Sequence, residues 1–271
     1  MSSQTINSLF QDAADDGDLS GKSMQILTGP QFGAQMQAAM GLPAVQIDIA
    51  DDVIIVATMI DDSGSVSSHV PAIIDGHNLI IDSLAGSKQA GSIMMSTSLM
   101  VEAHDGAASG NHDAGILFPF VGVQNATRMS NSNYHANGWH TPLYDQSLVV
   151  LGSVLAKTQD FSRQGVAARS VTLLVTDGED NASRHSVSDV RAVVEDMIRA
   201  EKHIVAFLGI GNESKFRRIA ADMGIPDQWV MTSKAGASEI RAAFRMFSQS
   251  AVRASQNAMS FSQSAGGFWN T

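Results

Sequence analysis

The sequence predicts an α/β fold: a doubly wound, mostly parallel sheet flanked by helices, with a short N-terminal extension and a C-terminal tail. Three observations predict it. Val53 to Ile60 and Ser170 to Val175 are β-branched, apolar runs, the pattern of strands buried on both faces of a parallel sheet. Between and after them, apolar residues recur at helical spacing, so strands alternate with helices along most of the chain. Both runs end abruptly in small oxygen-bearing residues, Asp61-Asp62-Ser63-Gly64-Ser65 and Thr176-Asp177-Gly178. Ligands of open α/β sheets sit just past the carboxyl ends of the strands.

The elements follow in order. Residues 1–45 are polar, small and acidic and read as a largely solvated extension, with a short helix from Gln31 to Met40 stopped by Gly41 and Pro43. Asp12, Asp15, Asp16 and Asp18 surround Gly17 like a calcium loop, but counting from Asp12 the third position is Ala14 and the twelfth Ser23, where a bidentate glutamate is needed. The main domain is expected over 46–253. Val45, Ile47 and Ile49 alternate with polar or small residues as an edge strand or lead-in. After the first strand, Val70, Ile73, Ile74, His77, Ile80, Ile81 and Leu84 mark a helix from Val66 to Leu84, with Pro71 in its first turns and Gly86 as its stop. Ser92 to Val101 is a second strand, Glu102 to Asp113 a loop or hairpin tip, and Ile116 to Val123 a third strand that Pro119 places at an edge.

In Gly138-Trp139-His140-Thr141-Pro142-Leu143-Tyr144-Asp145, Thr141 reads as an N-cap and Pro142 as the first helical residue, with Leu148, Leu151 and Leu155 on one face of the helix. The strand ending at Asp177 is followed by a helix capped by Ser186 with Asp189 three residues on, and carrying Val187, Val190, Val194, Met197 and Ile198. Then come a strand from Ile204 to Ile210, a basic helix from Ser214 to Met223, a short strand over Trp229 to Thr232, and a helix from Ser238 to Arg253 with Ile240, Phe244, Phe247 and Ala251 on one face. The tail, 254–271, is rich in Ser, Asn, Gln and Gly and reads as a frayed end or, through Phe261, Phe268 and Trp269, as an aromatic docking segment.

Composition bounds the function. The 271 residues, 44% hydrophobic and 16% charged, allow one large α/β domain with appendages or two small ones. A formal net charge of −10 argues against nonspecific nucleic-acid or anionic-membrane partners. With no cysteine there is no disulfide framework, thiolate nucleophile or zinc-thiolate site. The first residues lack a basic and an apolar segment, and the longest apolar run is too short to cross a bilayer, so a soluble, cytoplasmic protein is expected.

Asp61, Ser63 and Ser65 place three hard oxygen donors in five residues, a set suited to Mg²⁺, Mn²⁺ or Ca²⁺. Taken alone, aspartate and serine are equally turn and capping residues. Together with Thr141 and with Asp177 in Thr-Asp-Gly, the pattern resembles the von Willebrand factor type A domain with its metal-ion-dependent adhesion site, over about residues 50 to 250. The resemblance implies a Rossmann-like sheet in which Ser63, Ser65 and Thr141 give hydroxyl ligands to Mg²⁺, and Asp61 and Asp177 act directly or through water. It implies a protein-binding module, not an enzyme, whose partner supplies an Asp or Glu carboxylate to the metal. The bacterial intracellular members, of tellurite-resistance type or working beside MoxR-type AAA+ ATPases and other operon-encoded proteins, look most similar.

Three features depart from that pattern. Asp62 follows Asp61, either adding negative charge at the ion or pointing away. Trp139 and His140 stand before Thr141 where small glycines are usual, and either pack on the domain or line the rim of the site. Catalytic readings fit poorly. A haloacid-dehalogenase-type nucleophile needs an aspartate two residues on, where Ser63 or Gly64 stands, and there is no Gly-x-Ser-x-Gly elbow, P-loop or dinucleotide fingerprint. A structural subunit with a stabilising metal, or a metal-dependent hydrolase, is the alternative.

Overall fold

Three parallel strands form the centre of the molecule, and each is apolar on both faces because helices cover both sides of the sheet. A computed structural model describes residues 3–41, 52–100 and 115–256. The strands are β1 (Asp52–Asp61), β2 (Ile93–Met100), β3 (Ile116–Gly122), β4 (Ala167–Thr176), β5 (His203–Ile210) and β6 (Val230–Ser233). They form one six-stranded sheet in the order β3-β2-β1-β4-β5-β6. All neighbours are parallel except β3, which runs antiparallel to β2 at the edge, where Pro119 has no ladder bond to break. Chain direction through the sheet reverses between β1 and β4, and the crevice past their carboxyl ends is the topological switch point. The doubly wound α/β architecture expected from the sequence is the one observed.

The helices are α1 (Ser3–Asp15), α2 (Gly21–Leu27), α3 (Gly33–Met40), α4 (Val70–Ala85), α5 (Leu143–Arg163), α6 (Val187–Arg199), α7 (Glu213–Asp222) and α8 (Ala237–Gln256). α5 packs on β1 and β4, with α6 beside it on β5; α4 and α8 pack together. The Val66 to Leu84 helix begins later than expected, because a 3₁₀ turn over Gly64–His69 precedes α4 and Pro71 sits in its first turn. The capping box at α6 is present, with the Ser186 N–H donating to the Asp189 carboxylate at 2.9 Å.

The N-terminal segment corrects the sequence reading. Over its described residues it is helical rather than solvated, and Ile6, Leu9, Phe10, Leu27, Phe32, Met36 and Met40 are buried in the common core. α1 and α3 lie on the outer face of α5, which explains why α5 is buried nearly all round, down to Lys157, Gln146 and Gln159. The acidic cluster is not a cation loop. Asp12 pairs with Arg163, Asp16 accepts from Gln159 at 2.9 Å and Asp18 pairs with Lys202 at 2.7 Å, so the carboxylates tie the segment to α5 and to the start of β5. The alternation at Val45–Ile49, the 102–113 loop and the aromatic tail all lie outside the described residues.

Two details of packing yield predictions. Gly76 lets α8 approach α4 so closely that a Cβ there would stand 2.3 Å from the Phe244 ring and 2.9 Å from its Cβ. Because the obstacle is the base of a buried side chain, Gly76→Ala is expected to lower stability by about 1–3 kcal/mol despite its better helix propensity. Gly91→Ala, with nothing within 4 Å, should stay within about 0.5 kcal/mol in the same denaturant titrations.

The second concerns two histidines sealed in the core. His77 Nε2 meets Thr97 Oγ1 at 2.8 Å and His203 Nδ1 meets Ser170 Oγ at 2.7 Å. Burial pulls the His77 pKa down to about 4 and that of His203 to about 3, from an ordinary value of 6.5. The unfolded chain therefore takes up protons first as pH falls, so their contribution is complete above 6.5 and is lost below it. Melting temperature should drop between pH 7 and 5, by the equivalent of about 2 kcal/mol per histidine at pH 5, and His203→Gln should shallow that slope. A flat melting profile over this range would contradict the assignment.

Candidate metal centre

The site is built outward from Asp61. This last residue of β1 is fully buried, and its carboxylate is satisfied from two directions. Oδ1 accepts the Ser63 N–H at 2.8 Å, which turns the chain sharply after the strand. Oδ2 accepts the Thr176 hydroxyl at 2.6 Å, joining the end of β1 to the end of β4. Its backbone carbonyl accepts the Tyr134 hydroxyl at 2.7 Å, and burial raises the pKa of that phenol so that it stays a donor.

The turn aims the serines at Asp177. Ser63 Oγ and Ser65 Oγ are 2.9 Å apart, and Ser65 Oγ donates to Asp177 Oδ1 at 2.5 Å. Thr141 is buried and faces Gly178 closely, since a Cβ added there would stand 3.2 Å from Thr141 Oγ1. Thr141 is also locked to the loop after β4: its N–H donates to Asn181 Oδ1 at 2.7 Å and its carbonyl accepts the Asn181 N–H at 3.1 Å. Asp61, Ser63, Ser65, Thr141 and Asp177 thus gather from three separated segments at the switch point. Asp61 lies beneath, with both carboxylate oxygens engaged, while Ser65 is at the surface.

Thr141 is not the helix cap expected from the sequence. Pro142 holds the N-cap position and α5 begins at Leu143. The orphan N–H groups of its first turn are capped instead from a distant segment: the Tyr144 and Asp145 N–H groups donate to Ser183 Oγ at 3.1 and 2.9 Å. Released from capping, the Thr141 hydroxyl faces Gly178, the residue after Asp177.

Asp62 points away from the cluster. Its Oδ1 accepts the Ala136 N–H at 2.6 Å and its carboxylate also accepts the His135 N–H. Ala136 is held there at φ 48°, in the left-handed region that alanine rarely adopts. Two residues on, Gly138 forms a bridge with Ser63: the Gly138 N–H donates to the Asp62 carbonyl and the Gly64 N–H to the Gly138 carbonyl, both at 2.8 Å. A Cβ at Gly138 would stand 3.0 Å from the Asp62 carbonyl oxygen, so a side chain there would crowd the bridge.

Electrostatically the site is short of positive charge. Burial raises the Asp177 pKa, and the Asp61 charge adds to this, against opposing effects of the Ser65 hydrogen bond, His69 and Lys215. Burial likewise raises that of Asp62. Among the described residues no group of three or more His, Cys, Asp or Glu is placed to hold an ion, so a cation here would draw mainly on hydroxyls. The donor set fits one. Neighbouring oxygens in an octahedron of about 2.1 Å metal–oxygen bonds lie about 3 Å apart, and the Ser63–Ser65 oxygen pair has nearly that spacing.

The sequence pattern points to Ser63, Ser65, Asp61, Thr141 and Asp177 but not to Tyr134, Thr176, Asn181 or Ser183. Thr176 stands in the Thr-Asp-Gly run, so its place was in view but its role was not. The other three act through contacts that no local pattern announces.

The fold and this cluster define a doubly wound α/β domain with a hydroxyl-rich polar site at its switch point. No family model and no curated protein sequence matches the chain. Among solved structures, the open conformation of the pilus adhesin SpaC from Lactobacillus rhamnosus GG superposes with a TM-score of 0.54 at 11% identity, over 75% of this chain and 30% of that one. Proximal thread matrix protein 1 from the mussel byssus, in a form described as having a zinc-occupied MIDAS motif, gives 0.45 at 15% identity, over 73% of this chain and 47% of that one. Manganese-loaded TRAP protein of Plasmodium vivax gives 0.39 at 18% identity, over 73% and 75%. The likeness to SpaC is one of fold, and this chain spans less than a third of that protein's length and about half of the byssus protein's.

If Asp62 is the anchor of the 134–141 loop, Asp62→Ala should strand the Ala136 and His135 N–H groups and lower stability by about 1–2 kcal/mol. Amide hydrogen exchange across 134–141 should quicken while that of β4 and β5 is unchanged. Unaltered exchange in the loop would refute the anchoring role.

Proposed function

We propose that this chain is a von Willebrand factor type A module with a metal-ion-dependent adhesion site, a protein-binding element and not an enzyme. The observation that carries the reading is that Ser65 stands within hydrogen-bond distance of both Ser63 and Asp177, with Thr141 against the neighbouring Gly178, at the switch point of the sheet. Ser63, Ser65 and Thr141 would hold Mg²⁺ (or Mn²⁺ or Ca²⁺) through neutral hydroxyls, with Asp177 as the carboxylate at the cluster and Asp61 fixing the turn beneath. Bound there, the ion would supply an electron-poor coordination position that an Asp or Glu carboxylate of a partner protein completes.

The chain's own residues do the rest. Asp61 and Asp62 direct their oxygens into backbone and hydroxyl donors, so they hold the serines and the 134–141 loop in place without filling the solvent side. The absence of a catalytic constellation in the sequence supports a binding role. The sequence resemblance also favours a bacterial intracellular setting, within a multiprotein stress-response or AAA+ ATPase-associated system. Among the described residues no helix is long and apolar enough to cross a membrane.

Titration calorimetry with Mg²⁺ and Mn²⁺ tests the metal. Saturable one-site binding is expected for the wild type, weakened at least about tenfold by Ser65→Ala or Thr141→Ala. Ser65 is exposed, so its variant should melt like the wild type. Asp61→Ala should instead lose stability, because Thr176 and the Ser63 N–H would be left buried without an acceptor. Absence of saturable binding in the wild type would defeat the proposal.

A further inference from the structure

The loop that leads into Thr141 is fastened along the exit of β1. Its inward residues are each fixed to a successive position of the site segment: Tyr134 to the Asp61 carbonyl, Ala136 to the Asp62 carboxylate, and Gly138 to Ser63 through the bridge. The residues between them, His135, Asn137 and Trp139, are all three exposed. Trp139 is 92% exposed and is the one exposed large hydrophobic side chain among the described residues. Its backbone is pinned on both sides, at Gly138 by the bridge and at Thr141 by Asn181.

An indole held in water on a fixed backbone has no role in the core of this chain. One residue, His140, separates it from Thr141, so over two Cα steps of about 3.8 Å its Cα lies within about 8 Å of that residue's Cα, well inside the footprint of one partner. Trp is the residue type most often found as an interface anchor, and a preorganised backbone lowers the entropy lost on docking. Positive charge near the site is scarce: Lys215 bears on Asp177 and also pairs with Glu179 at 3.9 Å, so the attraction for an acidic visitor would come from the bound ion.

We infer that the outward face of this loop, His135, Asn137 and above all Trp139, is a recognition ridge for an acidic protein segment that carries a bulky apolar side chain within a few residues of its carboxylate. The inference rests on the metal-dependent reading above and adds to it the second half of the epitope. The carboxylate addresses the hydroxyl cluster, and the apolar side chain stacks on the indole, which offers about 150–250 Å² of surface to cover.

The test is selection from a displayed library of random linear peptides on the full chain, in Mg²⁺ and in EDTA, with wild type, Trp139→Ala, Trp139→Phe and Thr141→Ala. Trp139→Ala removes an exposed side chain, and an unchanged melting curve will verify that it folds. The expected Mg²⁺-dependent pool pairs Asp or Glu with a large apolar residue. Its best member should bind Trp139→Ala about ten- to thirtyfold more weakly, with Trp139→Phe retaining most of the affinity. Peptides that need Mg²⁺ and Thr141 but are indifferent to Trp139→Ala would overturn the ridge and leave the metal reading standing. Peptides that need Trp139 but ignore EDTA and Thr141→Ala would overturn the metal reading and leave the ridge. A library yielding no enrichment on the wild type would overturn both.

Discussion

The Asp61 carboxylate is the contact on which the site depends. A buried charge is tolerated only when donors surround it, and here those donors are the parts of the site. By accepting from Ser63 it sets the turn that carries both serines, and by accepting from Thr176 it fixes the relative height of β1 and β4 where the chain direction reverses. Substituting an apolar residue would do more than delete one charge. It would release the turn and the strand junction together, because the same two oxygens serve both.

Around that junction, two loops hold each other through backbone groups. The 134–141 loop is fastened to the β1 exit, and the loop after β4 is fastened to Thr141 through Asn181 and to the start of α5 through Ser183. The second loop is held again from behind. Asp145 accepts the Arg184 and His185 N–H groups at 2.9 and 3.0 Å and pairs with the His185 ring at 2.7 Å. That ring meets Gln31 at 2.9 Å and stacks near Phe32, with centroids 4.7 Å apart. The N-terminal helices, remote in sequence, thus bear on the loop that follows Asp177. Support of this kind is what a small octahedral ion, which demands near-ideal oxygen geometry, would need.

Much of this was legible in the sequence, and what was not has a physical cause. β1 and β4 were plain because a strand covered on both faces needs apolar residues without alternation. The edge position of β3 followed from Pro119. The site residues were visible because they sit at strand ends, where chain geometry and chemistry coincide. The N-terminal helices were missed because an acidic, small-residue segment looks solvated until its ionic partners are known, and Arg163, Gln159 and Lys202 lie far along the chain. A sign was nonetheless present in α5, where Val149, Val150 and Val154 extend the apolar surface beyond the Leu148–Leu155 face. A helix apolar all round is a covered helix. The true cap of α5 was hidden for the same reason as the helices: Ser183 reaches it through space, and the local Thr-Pro pair imitates a cap.

The arrangement of carboxylates bears on what the site can bind. Counting acids in sequence suggests three negative charges, Asp61, Asp62 and Asp177, in a chain already at −10. The structure divides them. Asp61 engages both oxygens beneath the cluster and Asp62 turns to the neighbouring loop, leaving Asp177 as the carboxylate bonded to Ser65. A divalent ion held by one carboxylate and neutral hydroxyls would keep much of its charge unneutralised, and Coulomb attraction for a further anion grows as that residual charge does. Had all three carboxylates faced the ion, the site would have bound metal more strongly and an incoming carboxylate less. On the metal-dependent reading, diverting two of them into backbone and hydroxyl donors would serve both ends at once: the same hydrogen bonds that hold the frame would leave the ion's open face receptive to an acidic partner.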